Sequence, residues 1–288
     1  MDKLTLNLEN HIAETLLITL YAKAVESKRK HPLINDPDAC RMAAQLDYDF
    51  SKYRNTKAST AGVAIRASHF DHMAAEFIER HARPVVVSVG CGLDTRRQRL
   101  GAAGGKAVFY LLDLAEVIAV RAQLLPPADN EILSGVSMLE TAWMDDLLSR
   151  YPDGDFLFVI EGVLMFFTEA DCRFLLVELA KRFDGAQIHF DLPNQWLSRR
   201  TSWHDAVSKT NAVFKFGLDN PQEIETWHPH LHHQRTWLFP EFKGWRRMGW
   251  GLTLLMSLIP ALKHSMQMIA YKVVFAPQNH SRADGHSK

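Results

Sequence analysis

The sequence predicts an α/β protein in which a mainly parallel sheet of seven strands follows an N-terminal helical cap. Three observations support this. Residues 1–82 show apolar positions at helical spacing and no strand pattern. From Pro84 onward, short β-branched and aromatic runs alternate with helical segments, and over residues 193–235 that alternation breaks before it resumes. Strands alternating with helices in this way imply right-handed crossovers and parallel pairing. The expected units are a cap over 1–82, an α/β core over 83–276 with a lid insertion at about 193–235, and a polar, disordered tail over 277–288.

In the cap, residues 8–30 carry Ile12, Leu16, Leu20 and Ala24 at helical spacing, and His31-Pro32 ends the run. A shorter helix over 36–50 starts at the Asp36-Pro37 cap signal. Residues 60–82 place Val63, Ala67, Phe70, Ala74, Phe77 and Ile78 on one side of a third helix. The core opens with VVVSVG (85–90), a β-branched run ending in glycine, as in a strand buried on both faces. A helix-compatible stretch, 93–101, leads to the second strand, AVFYLLDL (107–114), and residues 115–125 return to helix. VSMLE (136–140) predicts the third strand and DFLFVIEG (155–162) the fourth. Residues 168–183 predict a helix capped by Thr168 with Asp171 in its first turn, and with Phe174, Leu175, Leu179 and Phe183 on its apolar face. AQIHFDL (186–192) is the fifth strand. After the insertion, RTWLFP (235–240), a helix over 252–268 and MIAYKVVFA (268–276) complete the sheet.

Composition excludes several function classes. The 288 residues are 47% hydrophobic and 23% charged, an ordinary globular mix. Lys and Arg (33) balance Asp and Glu (33), and the isoelectric point is near 7.3. No charge excess points to nucleic acid or an anionic membrane. Cys40, Cys91 and Cys172 form neither a disulfide framework nor a CxxC zinc pair, which predicts a reduced, cytoplasmic setting. The first ten residues lack a signal-peptide pattern. The longest apolar stretch, Leu252 to Leu262, is too short to cross a bilayer and contains Pro260.

The most informative segment is VVVSVGCGLDTR (85–96), where Gly90 and Gly92 sit at a strand-to-helix turn and Asp94 or Thr95 is placed to cap the helix. Glycine there lets a ligand approach the backbone and adopts dihedrals that other residues resist. In open parallel sheets this crevice holds nucleotide-like ligands. A GxG alone is also compatible with a tight turn and no ligand. Asp113, ending the next strand about twenty residues on, adds the carboxylate that reaches ribose hydroxyls. A dinucleotide fingerprint requires a third glycine where this chain has Thr95, and no GxxxxGK[ST] phosphate loop occurs. S-adenosyl-L-methionine, which carries no phosphate, fits this turn better than NAD, FAD or ATP.

In these blocks the sequence resembles a known family. GCGLDTR (90–96), LLDLAEV (111–117), WMDDL (143–147) and EGVLMFF (161–167), in this order, are similar to the signature blocks of leucine carboxyl methyltransferases. The bacterial branch of tetracenomycin-type polyketide O-methyltransferases is the more similar one. The resemblance covers residues 54–192 and extends more loosely to 223–240. It implies a class I S-adenosylmethionine-dependent methyltransferase, Rossmann-like, with six parallel strands, one reversed strand and a helical lid. Gly90 and Gly92 would then lie under the methionine portion of the cofactor, and Asp113, with Leu114, would hold the ribose. Arg66, in GVAIRASHFD, would fork to the cofactor carboxylate, and Glu161, with Gly162, would stand beside the sulfonium. Where the family carries an Asp for the adenine amino group, this chain reads VSMLETAW, leaving Ser137 or Glu140 and the Met138 backbone. Asp94 completes the expected cofactor-binding set.

Methyl transfer from a sulfonium is an in-line displacement that needs alignment and exclusion of water, and no metal. A carboxylate acceptor is ionised at neutral pH and needs no base, whereas a hydroxyl acceptor needs one. Five of the 14 histidines fall within 204–233: His204, His228, His230, His232 and His233. They offer a candidate base, with His204 and His228 foremost; as exposed loop residues they would have no role. HPHLHH (228–233) has no partner Cys or Asp at zinc-ligand spacing. Trp196, Trp203, Phe214, Phe216, Trp227 and Trp237 read either as a lid over a flat acceptor or as the insertion's own core. Cys91 has no adjacent base to make it a nucleophile. The resemblance implies O-methylation of a small secondary-metabolite acceptor. A protein C-terminal carboxylate acceptor, a non-catalytic cofactor-binding regulator and an NAD-linked oxidoreductase are the competing readings.

Overall fold

The computed structural model describes residues 3–5 and 14–275; Ile12 and the expected tail lie outside them. Three helices open the described chain: α1 (Thr15–Ser27), α2 (Pro37–Gln45) and α3 (Lys57–Arg80). Asp36 accepts the Ala39 N–H at 2.9 Å and Pro37 takes the first helical position, so α2 begins where its cap signal lies. It stops at Gln45 rather than running to 50, because Leu46 pairs with Leu4 in an isolated parallel bridge. The cap therefore contains strand-like pairing that its helical periodicity does not show. Helix α3 starts three residues before the expected position. Its first N–H groups, on Ala58 and Ser59, donate to Asp205 at 3.0 and 3.2 Å. A cap supplied from 146 residues away leaves no local signal.

The core follows as β1 (Pro84–Val89), short helices α4 (Arg96–Arg99) and α5 (Gly101–Gly104), β2 (Val108–Asp113), α6 (Ala115–Leu124), β3 (Glu131–Gly135), α7 (Ala142–Arg150), β4 (Asp155–Ile160), α8 (Glu169–Arg182) and β5 (Gln187–Pro193). The chain ends as α9 (Gln195–Ser198), β6 (Leu231–Leu238), α10 (Trp250–Leu258), α11 (Pro260–Lys263) and β7 (Met266–Val273). The seven strands form one sheet in the order β3-β2-β1-β4-β5-β7-β6. All neighbours from β3 to β5 pair in parallel, and β7 runs antiparallel to both β5 and β6, giving six aligned strands and one reversed.

Several boundaries differ from the sequence expectation. The third strand is 131–135, not 136–140; it opens with a buried Glu131 paired to Arg121, which disguises it, while Ser137 to Glu140 form a turn. Helix α7 occupies a stretch for which periodicity predicted no element. On α8 the capping box of Thr168 and Asp171 is present, but Phe174 is 41% exposed and the buried face is Cys172, Leu175, Leu176 and Leu179. One residue of helix turns a side chain by about 100°, enough to carry Phe174 off the face. The expected helix 252–268 divides at Ile259-Pro260 and ends at Lys263, as proline's missing N–H and the restriction it puts on the preceding residue require.

Central strand β1 is buried along its whole length. One sheet face packs Phe158 with Trp143 and Phe183; the other packs Val86, Phe109 and Leu157 with Phe70 and Phe77 of α3. The strand order reverses at β1, so a crevice opens beyond the carboxyl ends of β1, β2 and β4. Among the described residues, no helix is long and apolar enough to cross a membrane.

Candidate active site

A cavity of about 220 Å³ occupies that crevice. All ten residues expected from the sequence line it: Arg66, Gly90, Gly92, Asp94, Asp113, Leu114, Ser137, Met138, Glu161 and Gly162. The N–H groups of Gly90 and Cys91 both donate to the Leu112 carbonyl (2.8 and 3.0 Å), tying the glycine turn to β2. Gly90 has φ +68°, and a Cβ there would fall 2.4 Å from Val163 Cγ2. No side chain fits between the turn and the β4 loop. Gly92, at φ +49°, donates its N–H to Asp113 Oδ2 at 2.7 Å, and Leu114 donates to Oδ1 at 2.8 Å. Two backbone donors thus fix the carboxylate plane. Burial pushes the Asp113 carboxyl above the usual aspartate range, against the pull of these donors.

Beside the glycine turn, buried charges interlock. Arg66 of α3 reaches Glu161 (3.1 Å) after β4 and Asp191 (2.8 Å) on β5. Arg96 joins Glu161 (2.5 Å), Asp71 (3.1 Å) and Asp94 (3.3 Å). Asp94 also binds Lys23 of α1 and Arg99. Burial alone would raise the Glu161 carboxyl; Lys23, Arg66 and Arg96 reverse this and hold it below the usual glutamate range. Asp94 is held well below its usual range in the same way. These contacts correct the expectation that Asp94 or Thr95 caps the next helix. Thr95 makes no side-chain cap bond and instead donates to Asp36 at 2.5 Å, while Asp94 is an ion-pair hub. Glu140, weighed beside Ser137 for adenine, accepts the Ser137 N–H (3.3 Å) and does not line the cavity. Cys91 lines it, but burial pushes its thiol up, consistent with no nucleophilic role.

Sequence reasoning missed Lys23, Arg96 and Asp191. Asp191 carried a signal, since it stands toward the end of its strand as Asp113 and Glu161 stand at theirs. Lys23 carried a weaker one, a cation beside the apolar stripe of α1; Arg96 carried none.

A second cavity, of about 320 Å³, adjoins the first and shares Thr15, Thr19, Arg66, Gly162 and Phe166 with it. Its walls are mainly apolar: Met165, Trp196, Trp203, Phe214, Phe239, Met248 and Met256 among them, with Ser59, His204 and Asp205 as polar members. The aromatic set of the insertion therefore divides. Trp196, Trp203 and Phe214 line this cavity, Phe216 packs with Trp227, and Trp237 packs on His69 of α3. The histidines divide too. His204 lines the second cavity, whereas His228 packs on His230 and His232 and His233 lie on β6. Among the described residues, no group of three His, Cys, Asp or Glu side chains is placed to hold a metal.

A model of the leucine carboxyl methyltransferase family matches residues 16–180. The chain belongs to the leucine carboxyl methyltransferase family. It is 28% identical over 263 residues to the tetracenomycin polyketide synthesis O-methyltransferase TcmP of Streptomyces glaucescens, covering 90% of this chain and 96% of the relative. It is 25% identical over 256 residues to the S-adenosyl-L-methionine-dependent methyltransferase dpfgK of Gibberella zeae, covering 82% and 86%. The fold is shared with a DUF574 family protein from Streptomyces avermitilis (TM-score 0.59, 11% identity, 92% of this chain and 100% of that one). This methyltransferase uses S-adenosyl-L-methionine. The first cavity fits that cofactor on its own chemistry. Its turn admits no Cβ at Gly90, its strand-end carboxylate is fixed by backbone donors, and its cation-rich side suits an amino-acid tail.

Proposed function

We propose that the protein transfers the methyl group of S-adenosyl-L-methionine to a carboxylate or hydroxyl oxygen of a small, apolar secondary-metabolite acceptor, in the cytoplasm. The observation that carries this reading is the shared wall. A cavity lined by charged side chains and a more apolar one meet at Arg66, Gly162 and Phe166, so a donor in the first can present its methyl to an acceptor in the second. In this reading Asp113 accepts from the ribose hydroxyls, and Gly90 and Gly92 leave room for the methionine portion. Arg66 sits between Glu161 and Asp191 with Nη2 beside Gly162, where a Cβ would stand 2.7 Å away; there it faces the amino-acid end of the cofactor. Ser137 and the Met138 backbone flank the adenine. The cofactor supplies an activated methyl, and the chain aligns the partners and excludes water. The cap helices and the insertion serve as the lid, and the free state of Cys40, Cys91 and Cys172 suits a reduced compartment.

The test is calorimetric titration with S-adenosyl-L-methionine and S-adenosylhomocysteine, followed by labelled-donor assays on aromatic carboxylates and phenols. Saturable binding of both nucleosides and label transfer to an oxygen are expected. A folded protein that binds neither would overturn the reading.

A further inference from the structure

His204 is the histidine of the insertion that lines the second cavity, edge-on to Phe214 with ring centroids 5.5 Å apart. Its Nδ1 accepts the Val207 N–H at 3.1 Å, and Ser59 Oγ lies 3.4 Å from the same nitrogen. That nitrogen is turned to protein. A neutral imidazole whose Nδ1 accepts carries its proton on Nε2, the other edge of the ring.

The groups around the ring keep it neutral. Burial lowers His204 to about 4, the neighbouring Asp205 pulls the other way, and Arg66 of α3 adds to the lowering. Asp205 is itself engaged, accepting from the N–H groups of Ala58 and Ser59 and from Ser59 Oγ. Accepting a proton at Nδ1 would require His204 to give up the Val207 N–H.

We infer that His204 is a positioning residue that donates its Nε2 proton to the acceptor oxygen, and is not a general base. The inference rests on the second cavity being the acceptor site. It restricts the acceptor to an oxygen that arrives already deprotonated. In the transfer, a lone pair of that oxyanion forms the new O–C bond as the C–S bond breaks. The sulfonium becomes a neutral thioether, the acceptor loses its charge, and no proton moves. The Nε2–H holds the oxyanion in line throughout.

Long-range proton–nitrogen NMR of the full chain saturated with S-adenosylhomocysteine tests this, with the His204 signals assigned by their loss in His204→Gln. The expected pattern is a protonated Nε2 and an unprotonated Nδ1, unchanged between about pH 5.5 and 8. A proton on Nδ1, or titration in that range, would overturn the inference. As an acceptor probe, 2-naphthoate is expected to shift the Nε2–H resonance, and its methyl ester to shift it less. Naphthoate affinity is expected to fall about tenfold in His204→Leu and to survive largely in His204→Gln, with S-adenosylhomocysteine affinity equal in all three as the folding control. Naphthoate that leaves Nε2–H unmoved, or equal losses in both variants, would also overturn it. Failure of S-adenosylhomocysteine to bind the unaltered protein would instead strike the methyltransferase reading itself.

Discussion

The backbone N–H of Gly92 points at Oδ2 of Asp113 across 2.7 Å, so the glycine turn after one strand aims the carboxylate at the end of the next. Loop and carboxylate act as one part. Replacing Asp113 with Ala removes a charged acceptor and leaves the Gly92 donor unpaired. Affinity for S-adenosylhomocysteine is expected to fall by about 1–3 kcal/mol by calorimetry, with some loss of thermal stability from the unpaired Gly92 and Leu114 donors. Unchanged affinity would remove Asp113 from the ribose.

Gly90 and Val163 form a second such pair. Gly90→Ala puts a methyl within 2.4 Å of Val163 Cγ2 at a φ of +68°, a conformation that L-residues resist by about 1–2 kcal/mol. Donor binding is expected to be lost along with stability. Adding Val163→Ala is expected to restore part of both, because it relieves the clash but not the dihedral. A double-mutant cycle with no coupling between the two positions would contradict the geometry.

Arg66 serves two carboxylates at once, so its role is best separated with Lys, which keeps the charge but not the fork. Arg66→Lys is expected to weaken S-adenosyl-L-methionine by a larger factor than 5′-methylthioadenosine, which lacks the amino-acid tail. Equal losses would make Arg66 purely structural. Arg66→Ala leaves Asp191 buried without its cation, while Glu161 keeps Arg96, and denaturant unfolding is expected to show a loss of about 3–5 kcal/mol.

The charge network also sets a pH dependence. Glu161 and Asp94 titrate below their ordinary values of 4.5 and 3.8 in the folded protein. Their contribution to stability is present above those values and is lost as pH falls toward the lowered folded ones. Asp191, raised by burial, has the opposite sign and offsets part of this. The melting temperature is expected to hold down to about pH 4.5 and then to fall, more shallowly in Glu161→Gln. A steep loss beginning near neutrality would place the sensitive group elsewhere.

Asp205→Ala tests the long-range cap of α3. Loss of three accepted hydrogen bonds at that helix start is expected to lower stability by about 0.5–2 kcal/mol, and Asp205→Asn by less.

The parts of the molecule legible in the sequence are those whose signal is local. VVVSVG and DFLFVIEG announce buried parallel strands because their neighbours on both faces demand apolar side chains. In the first cavity, Gly90, Gly92 and Asp113 follow from glycines and a strand end, whereas Arg66 on α3, Ser137, Met138 and Glu161 were implied by the family resemblance. What was illegible depends on distant partners. The third strand hides behind Glu131, whose charge is answered by Arg121. The start of α3 is set by Asp205, and Lys23 and Arg96 enter the site through ion pairs that no spacing encodes. The insertion is hardest, because its aromatics read equally as lid or as core and its histidines as base or as exposed loop, and the fold divides each set.

The two cavities share a wall but differ in what the chain after β5 gives them. Apart from Thr15, every residue around the first lies within 16–180, whereas the second takes Trp196, Trp203, Phe214, Phe239, Met248 and Met256 from the segments that follow. With the acceptor in the second cavity, as proposed, exchanging the segments between β5 and β6 and between β6 and β7 would reshape one wall of its chamber, while Arg66, Gly162 and Phe166 stay common to both chambers.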